Sequence, residues 1–363
     1  MELTSREALI TLNLIPGLGS VRIQALLERF GSAELALAAP PAMLMQMPRL
    51  GEKLAHAIAD WKHCTQVQAE IACAEQAGAR IITFLDDEYP DVLRRMSDPP
   101  IALYVLGEWQ QEDARRAVAI VGSRTATPYG LTCARRFARE LADAGCTIIS
   151  GLARGIDTAA HLGALDAGGR TIAVMGGGLS KIFPPENMEL VQRIIDGHGA
   201  VVSEFPMNMS PSKSTFPQRN RIVAAWSQAT LVAEAPAHSG ALHTAGLAAE
   251  QYGRHVFAIP GSINSGASLG CHRLIRDGAI LCHSPQDILS DMGWDSEPRQ
   301  LSLFDAPAEK LDPLLAAISA GHSTLDALCS ALGEPAYELT PRLMRLQIER
   351  KIRPLPGGSY EII

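Results

Sequence analysis

The chain has 363 residues, enough for two or three domains, and its 47% hydrophobic and 20% charged residues are the balance of a globular protein with a sizeable core. No apolar run approaches the ~18 residues of a membrane span, the start Met1-Glu2-Leu3-Thr4-Ser5-Arg6-Glu7 lacks the features of a signal peptide, and seven scattered cysteines form no C-x-x-C pair; these readings predict a cytoplasmic protein with reduced thiols. A net charge of −7 excludes a coat of basic surface but leaves room for a local basic groove.

Residues 1–65 read as short helices. Leu14-Ile15-Pro16-Gly17-Leu18-Gly19 precedes the amphipathic run 21–30, and Met47-Pro48-Arg49-Leu50-Gly51 precedes 52–61, so one interhelix turn is used twice. Glycines at such a turn either admit a phosphate to the next helix start or serve as a plain connection in an interaction domain. The only nearby cations, Arg22 and Arg49, tilt the balance toward interaction.

Residues 66–110 continue with a helix through Gly78, a strand from Arg80 to Phe84, a break at Asp98-Pro99-Pro100 and an added strand from Ile101 to Leu106, closing at Gly107. Beyond 111, short β-rich apolar runs recur with starts 25–30 residues apart: 117–121, 146–149, 171–175, 200–203, 230–233 and 255–259. Helix-like segments fill the gaps. Strands buried on both faces and joined by crossovers of this length predict an α/β domain, Rossmann-like and doubly wound on a mainly parallel sheet, spanning 66–292. A looser linker, 293–310, leads to helices at 311–320, 324–332 and 340–350 and a Gly357-Gly358 hairpin, the pattern of a winged helix over 311–363. Such a module reads duplex DNA through its third helix or binds protein; Asp326 and the lack of arginine on the middle helix favour protein, although Arg342 and Arg345 mark the third.

Parallel sheets of this kind bind ligands at the carboxyl ends of their strands. Here those ends read Gly122-Ser123-Arg124, Ser150-Gly151-Leu152-Ala153-Arg154-Gly155-Ile156-Asp157, Gly176-Gly177-Gly178, Ser239-Gly240-Ala241-Leu242-His243-Thr244 and Pro260-Gly261-Ser262. Glycine and small hydroxyl residues beside helix starts, with Arg124 and Arg219 nearby, make an anion site, and phosphate is the obvious anion. A dinucleotide is disfavoured because no G-x-G-x-x-G follows the first of these strands and no acid ends the second; no P-loop occurs either. The glycine run 176–178 reads equally as a tight turn.

The most telling segment is Ser212-Lys213-Ser214-Thr215-Phe216-Pro217-Gln218-Arg219-Asn220-Arg221, which places a lysine, a phenylalanine and two arginines ahead of a helix. Cations neutralise successive phosphates while an aromatic ring stacks on a base, a combination suited to a single strand. The plainer alternative makes Phe216 core and pairs Arg219 with an acid such as Glu234. The arginines at 135, 136 and 139 read as a solvated helix face. Asp157 and His161, four apart, could form an acid–base pair, but more often such residues brace a helix start. Cys271-His272 and Cys282-His283 match no zinc spacing, and no metal or other cofactor is expected.

The runs Val118 to Arg124, Ser150 to His161 and Phe216 to Ile222, with Ser239-Gly240 and Thr244, resemble the DNA-processing protein A family (DprA, also called Smf). The resemblance covers about 110–285, and the flanking regions are similar in kind, a SAM-like helical domain in front and a winged helix behind. It implies a non-enzymatic, homodimeric protein that binds single-stranded DNA during natural transformation, protects it, and loads RecA against the block from single-strand-binding protein. On the matching positions, Gly122, Ser123, Arg124, Gly151, Arg154, Lys213, Phe216, Arg219, Asn220, Arg221, Ser239, Gly240 and Thr244 would form the DNA pocket. The sequence departs from the family at His243, Ser180, Phe183 and Glu186, the last a position where some members are basic. A competing reading is a nucleotide-binding enzyme of the phosphoribohydrolase or Moco-carrier type, whose P-G-G-x-G-T loop is missing here.

Overall fold

The computed structural model describes residues 3–294, 313–348, 351–355 and 359–362. Two compact units are present, one running through Arg299 and the other from Gln300. Nearly all of the expected linker 293–310, and the Gly357-Gly358 turn, lie outside the described residues.

The first unit is built on a nine-stranded sheet. Its strands are β1 (Arg80–Thr83), β2 (Ala102–Gly107), β3 (Ala117–Gly122), β4 (Thr147–Ser150), β5 (Thr171–Val174), β6 (Gly199–Ser203), β7 (Ala229–Glu234), β8 (His255–Ala258) and β9 (Ile280–Leu281). They are ordered β1-β2-β6-β5-β4-β3-β7-β8-β9. From β6 to β9 every pairing is parallel, as expected; β1 and β2 extend the sheet antiparallel beyond β6. Alternation within each strand feeds two core layers. Ala117, Ala119 and Val121 of β3 face one layer with the helices Thr215–Trp226 and Gly240–Gly246, while Val118 and Ile120 face the other with Pro128–Asp143 and Ile156–Asp166. Cys271 and Cys282 sit one in each layer.

The chain leaves β3 on one side for β4, β5 and β6, then returns to the other side of β3 with β7. The crevice at such a reversal is where open α/β sheets bind ligands. At this point the register between the two strands shifts, so that Gly122 stands opposite Glu234, and Ser123 N still donates to Glu234 O at 2.8 Å.

The N-terminal helices belong to the same unit as the sheet. Ile10 shares a core with Ile81, Ala102 and Tyr104, and Ile101 shares one with the helical residues Leu9, Leu12 and Ile58. The two glycine turns face one another: Arg22 donates to Gly17 O at 2.9 Å and to Arg49 O at 3.0 Å, so this cation is spent on backbone joining the turns.

The second unit holds the helices Pro313–Ser319, Leu325–Leu332 and Ala336–Ile348 and an antiparallel pair, Ile352–Leu355 with Ser359–Ile362. Its third helix starts four residues before the expected Thr340. Proline at 341 suggests a helix start, but the helix accommodates it internally because Leu339, Leu343 and Leu346 face the unit's core on both sides of it.

Candidate nucleic-acid interface

A cleft of about 620 Å³ opens beyond the carboxyl ends of β3 and β7. Gly122, Ser123 and Arg124 form one wall, Gly151 and Asp157 lie at its base, Lys213, Phe216, Arg219 and Asn220 form the second wall, and Ser239, Gly240 and Thr244 close it. Eleven of the residues that the family resemblance singles out are thus brought to one place. Arg154 lies beside the cleft, in a small recess shared with Arg124, Phe183 and Phe216. Arg221 does not reach the cleft.

Local structure explains this partition. The segment read as preceding a helix is the start of one, Thr215–Trp226, with Pro217 in its first turn, where a missing N–H costs nothing. Residues two apart on a helix point to nearly opposite sides. Arg219 therefore faces the sheet ends, and Arg221 faces away, buried in ion pairs with Asp98 at 3.3 Å and with Glu204. Asp98, Glu204 and Tyr252 surround it. Burial lifts the Glu204 carboxyl from 4.5 to about 7, against the opposing pull of Arg221 and with a further push from Asp98.

Arg219 is only 4% exposed. Its guanidinium donates to the carbonyls of Gly151 and Val174, at the ends of β4 and β5, and to Asn220 Oδ1 at 3.0 Å. Gly151 has no room for a side chain because a Cβ would run into that guanidinium. Burial pushes Arg219 down to about 10, with Asp157 pulling it back up, so it stays cationic at neutral pH. It forms a fixed positive floor, and Glu234 is not its partner. Glu234 instead accepts from Thr127 N at 2.7 Å and Thr127 Oγ1 at 2.6 Å, holding the loop that carries Arg124.

Asp157 Oδ2 accepts from Gly151 N (3.1 Å) and Ala153 N (3.3 Å), the bracing role expected of an acid at a helix start. Burial raises its pKa, and Arg219 opposes the shift. His161 does not pair with it. Its Nδ1 bonds Thr171 Oγ1 at 2.7 Å, and burial lowers its pKa to about 3.

The exposed cations are Arg124 and Lys213, and neither has an ion-pair partner among the described residues. The Arg124 guanidinium lies 4.4 Å from the centre of the half-buried Phe216 ring, a cation–π contact that holds a flat charged plate over a flat ring. Phe183 follows at 6.4 Å from Phe216. The glycine run behind them is a packing device: a Cβ on Gly176 would come within 2.8 Å of Phe216, and one on Gly177 within 2.9 Å of Pro211. Arg154 is exposed and ion-paired with Glu186.

Several positioning residues escaped the sequence reading. Leu152 has φ +58°, a costly value for a branched residue, and Asn187 Nδ2 holds its carbonyl at 2.9 Å. Gly155, at φ +75°, lets the loop pass beneath the backbone of Ser123 and Arg124. Only the backbone angle at 155 had a sequence signal, a glycine at a helix start.

Comparison with known proteins bears on what such a cleft serves. Protein Smf of Escherichia coli is 37% identical over 304 residues, covering 82% of this chain and 81% of its own. The crystal structure of DNA processing protein A (DprA) from Streptococcus pneumoniae is 35% identical, with a TM-score of 0.68 over 80% of this chain and 99% of that one. DNA processing protein A from Helicobacter pylori, whose structure describes a unique single-stranded DNA binding mode, is 30% identical, with a TM-score of 0.53 over 60% of this chain and 96% of that one. Residues 80–293 match the family model for DNA recombination-mediator protein A, a span that begins at β1 and takes in every strand of the large sheet. With that whole sheet matched and relatives alike across most of their length, the chain belongs to the DNA recombination-mediator protein A family.

Proposed function

We propose that the cleft grips single-stranded DNA by its backbone and that the chain acts as a recombination mediator in natural transformation. One observation carries the reading: two unpaired exposed cations, Arg124 and Lys213, flank an aromatic ring over a floor kept positive by a buried arginine. Cations placed to follow phosphates, with a guanidinium–phenyl stack to receive a base, suit a flexible strand whose bases are unpaired. In this reading Ser123, Asn220, Ser239 and Thr244 supply neutral hydrogen bonds, and Gly240, whose side-chain position is open, gives close backbone approach. Gly122 and Gly151 line the cleft as glycines because Ile156 and Arg219 fill their side-chain positions, and Arg154 serves once Glu186 releases it. Arg219 sets the potential from below, and Arg221 is a structural residue.

The protein would hold DNA without cleaving it. Among the described residues the single acid lining the cleft, Asp157, is committed to two backbone amides. Protection of incoming DNA, loading of RecA against single-strand-binding protein, and action as a homodimer complete the proposal; the family likeness supports them. The three-helix unit with its strand pair would be a winged helix serving protein contacts. The nucleotide-hydrolase alternative is less well supported, since proteins alike over about four-fifths of the chain bear the name DNA processing protein.

The test is a salt series with oligothymidine. Arg124→Ala and Lys213→Ala should each weaken binding about tenfold at low salt and reduce the salt slope by about 0.7 for each lost phosphate contact. Binding equal to wild type in both variants overturns the assignment. Release of free base from nucleoside monophosphates would favour the hydrolase reading, and failure to shorten the RecA lag on protein-coated strands would remove the loading role.

A further inference from the structure

A second groove, of about 560 Å³, begins at the rim of the cleft and shares Arg124 with it. It runs between the outer faces of the helices Pro128–Asp143 and Ile156–Asp166. Leu131, Ala159 and Leu162 give it an apolar floor, and Thr125, Thr132 and Thr158 line its sides. Arg124, Arg154 and Arg135 line it against one acid, Glu186. One helical turn beyond Arg135 stands Arg139, exposed and with no partner among the described residues. The arginine stripe that sequence alone assigns to a solvated helix face therefore continues a line begun in the cleft.

We infer that a single strand leaving the cleft continues along this groove, with Arg135 and Arg139 as added phosphate contacts. The inference rests on the reading of the cleft as a single-strand site. Charge decides the direction of exit. The opposite way out, past Ser239 and His243, enters a hollow where Arg254 and Arg273 are balanced by Glu250 and Asp277. The helix groove carries three arginines against two acids, Glu186 and the Asp166 that pairs with Arg135, a net positive lining where the hollow is balanced, so a polyanion is drawn toward it. An apolar floor between cationic rims gives bases a surface to lie on without reading their edges.

Two of the arginines are held in reserve. Arg135 donates to Asp166 at 2.6 Å, across from one helix to the other, and Arg154 is paired with Glu186. A phosphate arriving in the groove takes over each cation from an exposed or half-exposed carboxylate, an exchange between ionic partners in solvent. Removal of the competing carboxylate therefore acts in the opposite sense to removal of the arginine.

The experiment compares a thymidine oligomer of about 5 nucleotides, short enough for the cleft, with one of about 20, using the full chain. Arg135→Ala with Arg139→Ala should leave the short oligomer unaffected, weaken the long one about fivefold at low salt and reduce its salt slope by about 0.7 per contact. Asp166→Asn should tighten the long oligomer only, a change that a merely structural role for the Arg135–Asp166 pair would not produce. Long-strand affinity and slope equal to wild type in the double variant, with the Arg124→Ala loss still present on the short oligomer, would overturn the groove and leave the cleft standing. No binding of the short oligomer by wild type would remove the cleft and, with it, the groove.

Discussion

Arg219 and Arg221 are two residues apart and do different work, and the difference can be measured. Arg219→Ala strips the carbonyls of Gly151 and Val174 of a donor and leaves Asp157 buried without its cation, a loss on the order of 3 kcal/mol in stability. A chemical denaturation curve should show that loss, whereas Arg124→Ala should leave the curve in place and change binding alone. Arg221 belongs to a buried cluster in which Glu204 holds its proton more tightly folded than unfolded. Its folded value of about 7 stands above the ordinary 4.5, so its contribution is complete below 4.5 and is lost as pH rises through about 7. Wild type should accordingly lose melting temperature relative to Glu204→Gln across that interval. A parallel course of the two curves would mean that the carboxyl is already ionised in the folded protein.

At the level of elements, the six parallel strands were legible because a strand buried on both faces reads as a short, near-continuous aliphatic run, and such runs recur 25–30 residues apart. Strand β9, only two residues long, has no such signature. The reversed direction of β1 and β2 was equally hidden, since side-chain alternation is the same whichever way a strand runs. In the cleft, residue types were readable and directions were not. Placing 212–221 ahead of a helix, with both arginines on positions matched by the family resemblance, put Arg219 and Arg221 together in the pocket, and the helix that starts at Thr215 separates them. The glycine run was legible as a turn, and its reason lies in contacts with a distant loop. A Cβ on Gly178 would meet the carbonyls of Pro206 and Met207. Gly178→Ala should therefore displace the segment that leads to Phe216, weakening oligothymidine binding about tenfold with the sheet's circular dichroism intact.

Across the whole molecule, the cleft is contained in the first unit and draws its walls from the loops beyond β3 and β7 and from the start of the helix Thr215–Trp226. A chain ending at Trp294 should fold with an unchanged melting temperature and hold oligothymidine as the full chain does. A drop in affinity would assign part of the grip to the three-helix unit. The N-terminal helices cannot be removed so simply, because Ile10 shares a core with the strand residues Ile81, Ala102 and Tyr104, and Leu9 and Leu12 share one with Ile101, just ahead of β2. Their loss should expose apolar surface and cause aggregation, visible in light scattering.

The face of the Phe216 ring and the flat face of the Arg124 guanidinium above it have no hydrogen-bonding group, so a base stacked there is held by its π-face, which every base has. Methylated, deaminated or oxidised bases would rest there as readily as intact ones. If the cleft serves as proposed, damaged or foreign-marked strands would all be retained alike, and discrimination would fall to whatever later tests complementarity.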